Sequence, residues 1–391
     1  MRELSRVKHL SDRNKCKEYR LNIQTRDMLN IPKRHGSNCF MRTKTMNNHS
    51  QEAEVNQKNA ENFWAAASGP LFMLAPMEDV TDTAFRELVL RLSRPGMLHV
   101  LFTEFASTDG ICHPRGRESS VQRLIVSEAE RKLLQANNVR IVAQIWGTRP
   151  EKYREALAHM AGHFHFDGID INMGCPVRKI VAQGACSALI DNEPLASEII
   201  HAVRESTKLP VSVKTRLGVQ KVETERWMTF LLQQPLDAVI LHGRTQKQQS
   251  DGNADWQEIA KAARLRDRLA PQVRIIGNGD VQSLDEAREK ATQHRLDGVM
   301  IGRGIFHNPW LFDPEKETPG AMERLETLLT HLDLFESNWG DRKHFLILRR
   351  FFKIYLSGFP GAAELRNRMM QLAGYAEARG VAREALEAFR E

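Results

Sequence analysis

No stretch of this chain approaches the roughly 20 consecutive apolar residues needed to cross a bilayer. The longest apolar runs, such as Leu71 to Pro76, have only strand length. A membrane-spanning helix is therefore excluded, and no membrane partner is expected. Cysteine is scarce, with Cys16, Cys39, Cys112, Cys175 and Cys186 the only five in 391 residues. None forms a Cys-x-x-Cys pair, so neither a zinc site nor a redox dithiol is signalled, and no metal is expected. Reduced thiols in a cytoplasm are the ordinary reading. A dinucleotide fingerprint is also missing, because no Gly-x-Gly-x-x-Gly follows the first candidate strand. The start of the chain lacks the apolar core of a secretory signal.

Positive charge is present but unevenly spread. The formal net charge is +7, yet residues 1 to 45 hold 12 Lys and Arg against 4 Asp and Glu, and the remainder holds 44 against 45. Any basic face on the folded part must come from local clustering rather than from bulk composition. Residues 1–65 are polar and charged with no sustained hydrophobic period, so a disordered basic extension is expected, with Met41 or Met46 as an alternative start.

From Leu71 onward, short apolar runs alternate with helical patterns, the signature of βαβ units and a parallel sheet. Candidate strands are Leu71 to Ala75, Val100 to Glu104, Arg140 to Ile145, Gly168 to Ile171, Pro210 to Thr215, Ala238 to His242, Val273 to Gly277 and Gly298 to Ile301. Amphipathic stretches between them include Glu193 to Ser206, Asp255 to Leu269 and Ser283 to His294. Eight repeats suit closure, so the expected fold is an α/β (β/α)8 TIM barrel over residues 68–312, in preference to a doubly wound open sheet. Residues 313–321 read as a linker, and 322–391 as a small helical domain broken once at Gly358, Pro360 and Gly361.

In such a barrel, functional side chains gather at the strand C-termini. Met77, Glu104, Gln144, Asn172, Cys175, Lys214, Arg216, His242, Arg244, Asn278, Asp280 and Arg303 all fall there. Any one of them could be an ordinary core or loop residue; agreement across all eight strands is harder to dismiss. Gly277-Asn278-Gly279-Asp280 and Gly302-Arg303-Gly304 follow the last two strands, where barrels commonly cradle a phosphate. Singly each is a tight turn; together, with the charge of Arg303, they favour a mononucleotide cofactor.

Ala75-Pro76-Met77, Thr103-Glu104, Ile171-Asn172-Met173-Gly174-Cys175-Pro176, Val213 to Gly218, His242-Gly243-Arg244-Thr245, Asn278-Gly279-Asp280 and Met300 to Gly304 together resemble the signature series of the tRNA-dihydrouridine synthases, in the same order. The likeness runs from about Phe72 to Phe312 and less clearly through the tail, where Leu356 to Arg366 is similar to the family's helical RNA-binding domain. It implies a flavin enzyme that reduces the C5=C6 bond of a uridine in tRNA, with FMN recharged by NADPH or NADH. By position it implies that Ala75, Pro76 and Met77 line the flavin ring and that Gln144 and Lys214 bond its pyrimidine edge. His242 would lie between flavin and substrate, and Asn278, Gly279, Asp280, Gly302 and Arg303 would hold the ribityl phosphate. Asn172 would recognise the extruded uracil, Arg244 the uracil or RNA backbone, and Cys175 would be the general acid, with Glu104 and Arg216 on the substrate side. A thiol with pKa near about 8.5 suits that task, being protonated at neutral pH yet able to release its proton.

Two departures stand out: the long leader, and Cys186, which sits where the family usually has glycine and is read as a small buried residue rather than a second acid. In the tail, Arg342, Arg349 and Lys353 fall on one stripe if the segment is a helix, with Arg350 beside it, suggesting contact with tRNA phosphates. Trp146-Gly147 and Asp255-Trp256 lean toward the C-type bacterial synthases and a D-loop uridine. A cytoplasmic monomer is expected. The competing readings are a free-pyrimidine reductase of the dihydroorotate dehydrogenase kind and a non-catalytic flavin- or RNA-binding protein.

Overall fold

The computed structural model describes residues 62–390. The extension expected at the start lies outside them as far as residue 61, as do Cys16 and Cys39. Nine parallel strands follow: β1 (Leu71–Leu74), β2 (Val100–Phe102), β3 (Ala106–Ser107), β4 (Arg140–Trp146), β5 (Gly168–Met173), β6 (Val211–Arg216), β7 (Ala238–His242), β8 (Arg274–Asn278) and β9 (Gly298–Ile301). They pair in the order β2-β1-β9-β8-β7-β6-β5-β4, and β2 pairs again with β4, closing the cylinder. The expected (β/α)8 barrel is the observed fold. The two-residue β3, which carries no readable pattern of its own, only extends the rim beside β4.

Both faces of these strands are buried, as expected for a parallel sheet covered by helices. One face packs outward on the helices. The other fills the barrel with a separate cluster that includes Met73, Phe102, Val142, Ile240, Ile276 and Met300. Phe63 and Trp64, on the short helix Phe63–Ala66, join that inner cluster and plug its floor. Arg274 ties the plug down by donating to the carbonyls of Trp64 (2.8 Å) and Ala67 (3.0 Å). Residues 62–65, which the sequence assigns to the extension, thus belong to the barrel floor; two aromatic residues are too short a signal to read. With the floor apolar and closed, polar inner residues are left to the opposite, C-terminal mouth.

The outer ring contains Thr83–Leu92, Glu128–Ala136, Pro150–Ala161, Glu193–Ser206, Thr224–Leu232, Trp256–Leu269 and Leu284–Gln293. Side-chain caps from Asp82, Ser127, Asn192, Asp255 and Ser283 start five of them. After β9 comes only a 3₁₀ turn, Arg303–Phe306, before the helix Ala321–Trp339 packs on Thr83–Leu92. The tail continues through Phe345–Phe351 (3₁₀), Phe352–Tyr355, Ala362–Gln371 and Tyr375–Ala388.

Where tail meets barrel, Phe85 packs on Phe351 (4.9 Å between centroids) and on His331 (5.5 Å). His331 is buried; its Nδ1 pairs with the Tyr355 hydroxyl at 2.9 Å, and its Nε2 has no partner among the described residues. Burial pushes the imidazole pKa down to about 4. The unfolded chain takes up this proton below about 6.5 while the folded chain refuses it, so stability present above that pH is lost as the pH falls toward 4. Lowering the pH from 7 to 5 should cost about 2 kcal/mol through this residue alone. Urea titrations at the two pH values should show the difference shrink by about that amount in His331→Gln; an unchanged difference would exonerate His331.

Candidate active site at the barrel mouth

Strand register assembles the mouth. Asn172 lies opposite Lys214, Arg216 opposite His242, and His242 opposite Asn278. One layer below, Gln144, Asp170 and Ser212 are consecutive partners across β4, β5 and β6. Since side chains alternate along a strand, residues two apart on β5 and β6 point into the same space.

A continuous string of hydrogen bonds crosses this interior. Ser212 Oγ donates to Asp170 (2.6 Å), and Gln144 Nε2 donates to the other oxygen of the same carboxylate (2.7 Å). Gln144 Oε1 accepts from Asn172 Nδ2 (3.0 Å). Asn172 Oδ1 in turn accepts from the backbone N–H groups of Gly174 (3.1 Å) and Cys175 (3.0 Å). Burial raises the Asp170 pKa to about 6, opposed by its bonds from Ser212 and Gln144 and by Lys214. Asp170 is the member of this string that sequence reading missed. Its signal was there: an acid flanked by isoleucines in the buried strand β5.

Cys175 sits on the loop that Asn172 shapes. Gly174 is needed because a Cβ there would meet the Lys214 carbonyl and Thr215 Cα, both at 3.3 Å. Arg216 holds the loop from the other side, with Nε donating to Gly174 O (2.7 Å) and Nη1 to Thr245 O and Gln249 O. The Cys175 thiol pKa is lowered to about 7, chiefly by a hydrogen bond from Cys186, with burial opposing and the Val177 N–H and Arg216 assisting. Cys186 is fully buried, as its sequence reading has it, but it touches the candidate acid.

Lys214 is brought down to about 8, by burial first and by Arg216 second. His242 is held well below its usual range by burial and by Lys214, Arg216, Arg244 and Arg303, so it is neutral at pH 7. Arg244 Nη1 lies 3.3 Å from its Nε2. Arginine can only donate, which puts the imidazole proton on Nδ1. Arg244 itself is 2% exposed and bonds Asp280 (2.5 Å), Gly252 O (2.5 Å) and Asp251 O (3.3 Å), so it braces the 251–252 loop.

The turn after β8 is tightly made. Gly279 has φ of +137°, and a Cβ there would sit 2.5 Å from that of Ala254. Asp280, also at positive φ, accepts from Ala254 N, Arg244 and Arg303. Asn278 donates to Met300 O at 2.8 Å. On the neighbouring strand end, Gly302 lies beside Ala75, and a Cβ on it would meet nothing nearer than the Ala75 methyl at 3.7 Å. Met77 begins a turn fixed by Thr81, and Pro76 is half-buried beside it. Arg303, 60% exposed, remains open to solvent.

Other expected site residues are differently engaged. Glu104 is buried; it accepts from Asp79 N (2.6 Å) and from Lys343 Nζ of the tail (3.0 Å). The tail segment is not one helix: a break at Lys343–His344 and 3₁₀ winding over Phe345–Phe351 scatter the predicted stripe. Arg349 donates to Leu372 O (3.0 Å), whereas Lys353 is exposed. Arg350 reaches the mouth, donating to the carbonyls of Glu78 (3.3 Å) and Asp79 (3.2 Å). Arg178 and Lys179 are exposed on the short helix just after Cys175. Trp256 stacks on His294, and Asp255 caps its own helix, so both do structural work.

The dihydrouridine synthase family model matches residues 73–391. A Staphylococcus aureus protein named "Probable tRNA-dihydrouridine synthase" is 43% identical over 323 residues, 82% of this chain and 94% of that protein. A Bacillus subtilis protein named "Probable tRNA-dihydrouridine synthase 2" is 42% identical over 323 residues, 82% and 95% of the two chains.

The string of hydrogen bonds has a measurable consequence. Asp170→Ala leaves Ser212 Oγ and Gln144 Nε2 without acceptors inside the barrel and frees the Gln144 amide to rotate. Unfolding in urea should show a loss of about 2–4 kcal/mol; a loss under about 0.5 kcal/mol would mean that the string does not fix the mouth.

Proposed function

Since the chain belongs to the dihydrouridine synthase family, we propose that it reduces the C5=C6 bond of a uridine in tRNA, with FMN as its flavin and NADPH, or NADH, as the passing reductant. The observation that carries the reading is the meeting of a perturbed thiol, Cys175, with the Lys214 ammonium and the neutral His242 at one barrel mouth.

The residues there fit FMN. Gly302 carries no side chain beside the Ala75 methyl, so the backbone there could approach a flat ring closely, with Pro76 and Met77 next along the chain. Lys214, beside Asp170 and Gln144, would meet the pyrimidine edge of the ring. Asn278, Gly279, Asp280, Gly302 and Arg303 would hold the phosphate, with the Asp280 carboxylate orienting Arg303 and its backbone facing the anion. When bound, FMN supplies the hydride that uracil C6 receives.

The protein's own part is positioning and proton supply. Cys175 gives its Sγ proton to C5, and the Asn172 turn with the Arg216 clamp fixes where that sulfur stands. The positive charge of Lys214 stabilises negative charge developing at the ring edge. Neutral His242 offers its Nδ1 proton as a donor without adding another cation. A base must leave its stack before it can enter the mouth, so the protein has to grip the RNA backbone. Exposed Lys353, Arg178 and Lys179, with Arg350 at the rim, supply that grip; Arg349 supports them from within the tail. A tRNA substrate suits a cytoplasmic enzyme. A D-loop target rests on the likeness at Trp146-Gly147.

Cys175→Ala should purify yellow and lose at least about 100-fold in dihydrouridine formation; unchanged turnover removes the acid role. The thiol donates only while protonated, so single-turnover reduction of tRNA should slow as the pH rises through about 7. Lys353→Glu should weaken tRNA binding and reduce its salt dependence by about one contact or more, with the flavin spectrum unaltered. An unchanged salt slope rules out a phosphate contact at this position.

A further inference from the structure

We propose that Cys175 and Cys186 form an oxidation site at which a hydroperoxide closes the two thiols into a disulfide. Nothing in the proposed reduction of uridine uses Cys186, yet it is buried on the segment that packs behind the Cys175 loop, close enough to perturb the Cys175 thiol. The segments that carry them are stapled together, because Ser187 donates to the Cys175 carbonyl from both Oγ (2.8 Å) and N (3.4 Å). Cys186 also occupies a left-handed backbone conformation, φ +54°, where glycine would be unstrained. A side chain is kept at a position whose backbone disfavours one, and that side chain is a thiol on the segment bonded to the Cys175 carbonyl.

The two sulfurs differ as a redox pair requires. Cys175 is partly exposed at the mouth and has substantial thiolate at neutral pH; Cys186 is enclosed and protonated. Oxidant-sensitive cysteines are typically low in pKa, accessible and next to a resolving thiol. Cys112, the third described cysteine, lacks these features: burial and Glu155 push it up to about 11, and its sulfur faces Lys152 O at 3.5 Å.

The Cys175 thiolate attacks one oxygen of the hydroperoxide, the O–O bond breaks, and the departing oxygen leaves as alcohol or water after taking a proton. Cys175 is then a sulfenic acid. The Cys186 sulfur next attacks the Cys175 sulfur, the S–O bond breaks, and the hydroxyl leaves as water with the proton of Cys186. Two thiols lose two electrons, and the hydroperoxide gains them. The disulfide would remove the proton donor until a thiol reductant restores it; that consequence rests on the acid role proposed for Cys175.

The full-length flavin-bound protein should be exposed to a modest excess of hydrogen peroxide and followed by intact mass, unreduced peptide mapping and tRNA reduction. A loss of about 2 Da with a Cys175–Cys186 linked peptide, reversed by dithiothreitol, is expected. In Cys186→Gly, which relieves the positive φ and so should fold, Cys175 should instead gain about 32 Da as sulfinic acid, beyond rescue by dithiothreitol. Sulfinic acid at Cys175 in the unaltered protein, or a disulfide joining Cys175 to another cysteine, overturns the proposal. A Cys175–Cys186 disulfide with full turnover upholds the oxidation site and overturns the acid role instead.

Discussion

A closed parallel barrel gives the polar groups on its inner face little to bond except one another, and a buried group left unpaired costs about 1–3 kcal/mol. In this chain that constraint is met by the string from Ser212 through Asp170, Gln144 and Asn172 to the amides of Gly174 and Cys175. Each member has its neighbour as its condition. The position of the Cys175 loop is therefore tied to a carboxylate three hydrogen bonds away on the preceding strand and to a hydroxyl on the next. Arg216 completes the arrangement from outside, spending its donors on backbone carbonyls of the Gly174 and Thr245 loops. Residues that look in sequence like substrate contacts thus serve first to hold the Cys175 loop in place.

The same enclosure governs charge. Burial first, and then Lys214, Arg216, Arg244 and Arg303 converging on it, keep the His242 imidazole neutral. Asp170 and Asp280 offset part of this excess, the latter bonding Arg244 and Arg303 together. The resulting mouth is electropositive even though the residues after 45 carry nearly balanced charge. Local clustering of this kind is what bulk composition does not announce.

The barrel was legible because its strands are buried on both sides, so runs such as Ala238 to His242 are nearly uniformly apolar and separated by clear helical periods. The gathering of the candidate residues was legible for a related reason: once eight strands close, their C-termini must share one rim. What could not be read was pairing across the interior. Asp170 is separated from Gln144 by 26 residues and from Ser212 by 42, and no local pattern announces such bonds. Contact of Cys186 with Cys175 was hidden for the same reason. The tail stripe failed differently: it assumed 3.6 residues per turn where Phe345–Phe351 winds as a 3₁₀ helix.

Glu104 shows how the tail enters the site without touching its chemistry. It accepts from the amide of Asp79, on the loop after β1 that begins at Met77, and from Lys343 of the tail. Lys343 also pairs with Asp82 and lies over the Trp339 ring at 4.2 Å. Arg350 grips the same loop from above through the carbonyls of Glu78 and Asp79, while Arg123 bonds the Glu78 carboxylate. One short loop is therefore fixed by the barrel on one side and by the tail on the other. Because that loop borders the mouth, the tail shapes the entrance as well as carrying exposed cations such as Lys353. A tail held only by its own helices could shift against the barrel. Buried pairing of Lys343 with Glu104 and Asp82 makes such a shift expensive, since it would strand two carboxylates that are 1% and 3% exposed. The orientation of the cation-bearing surface is thereby coupled to the loop that lines the site.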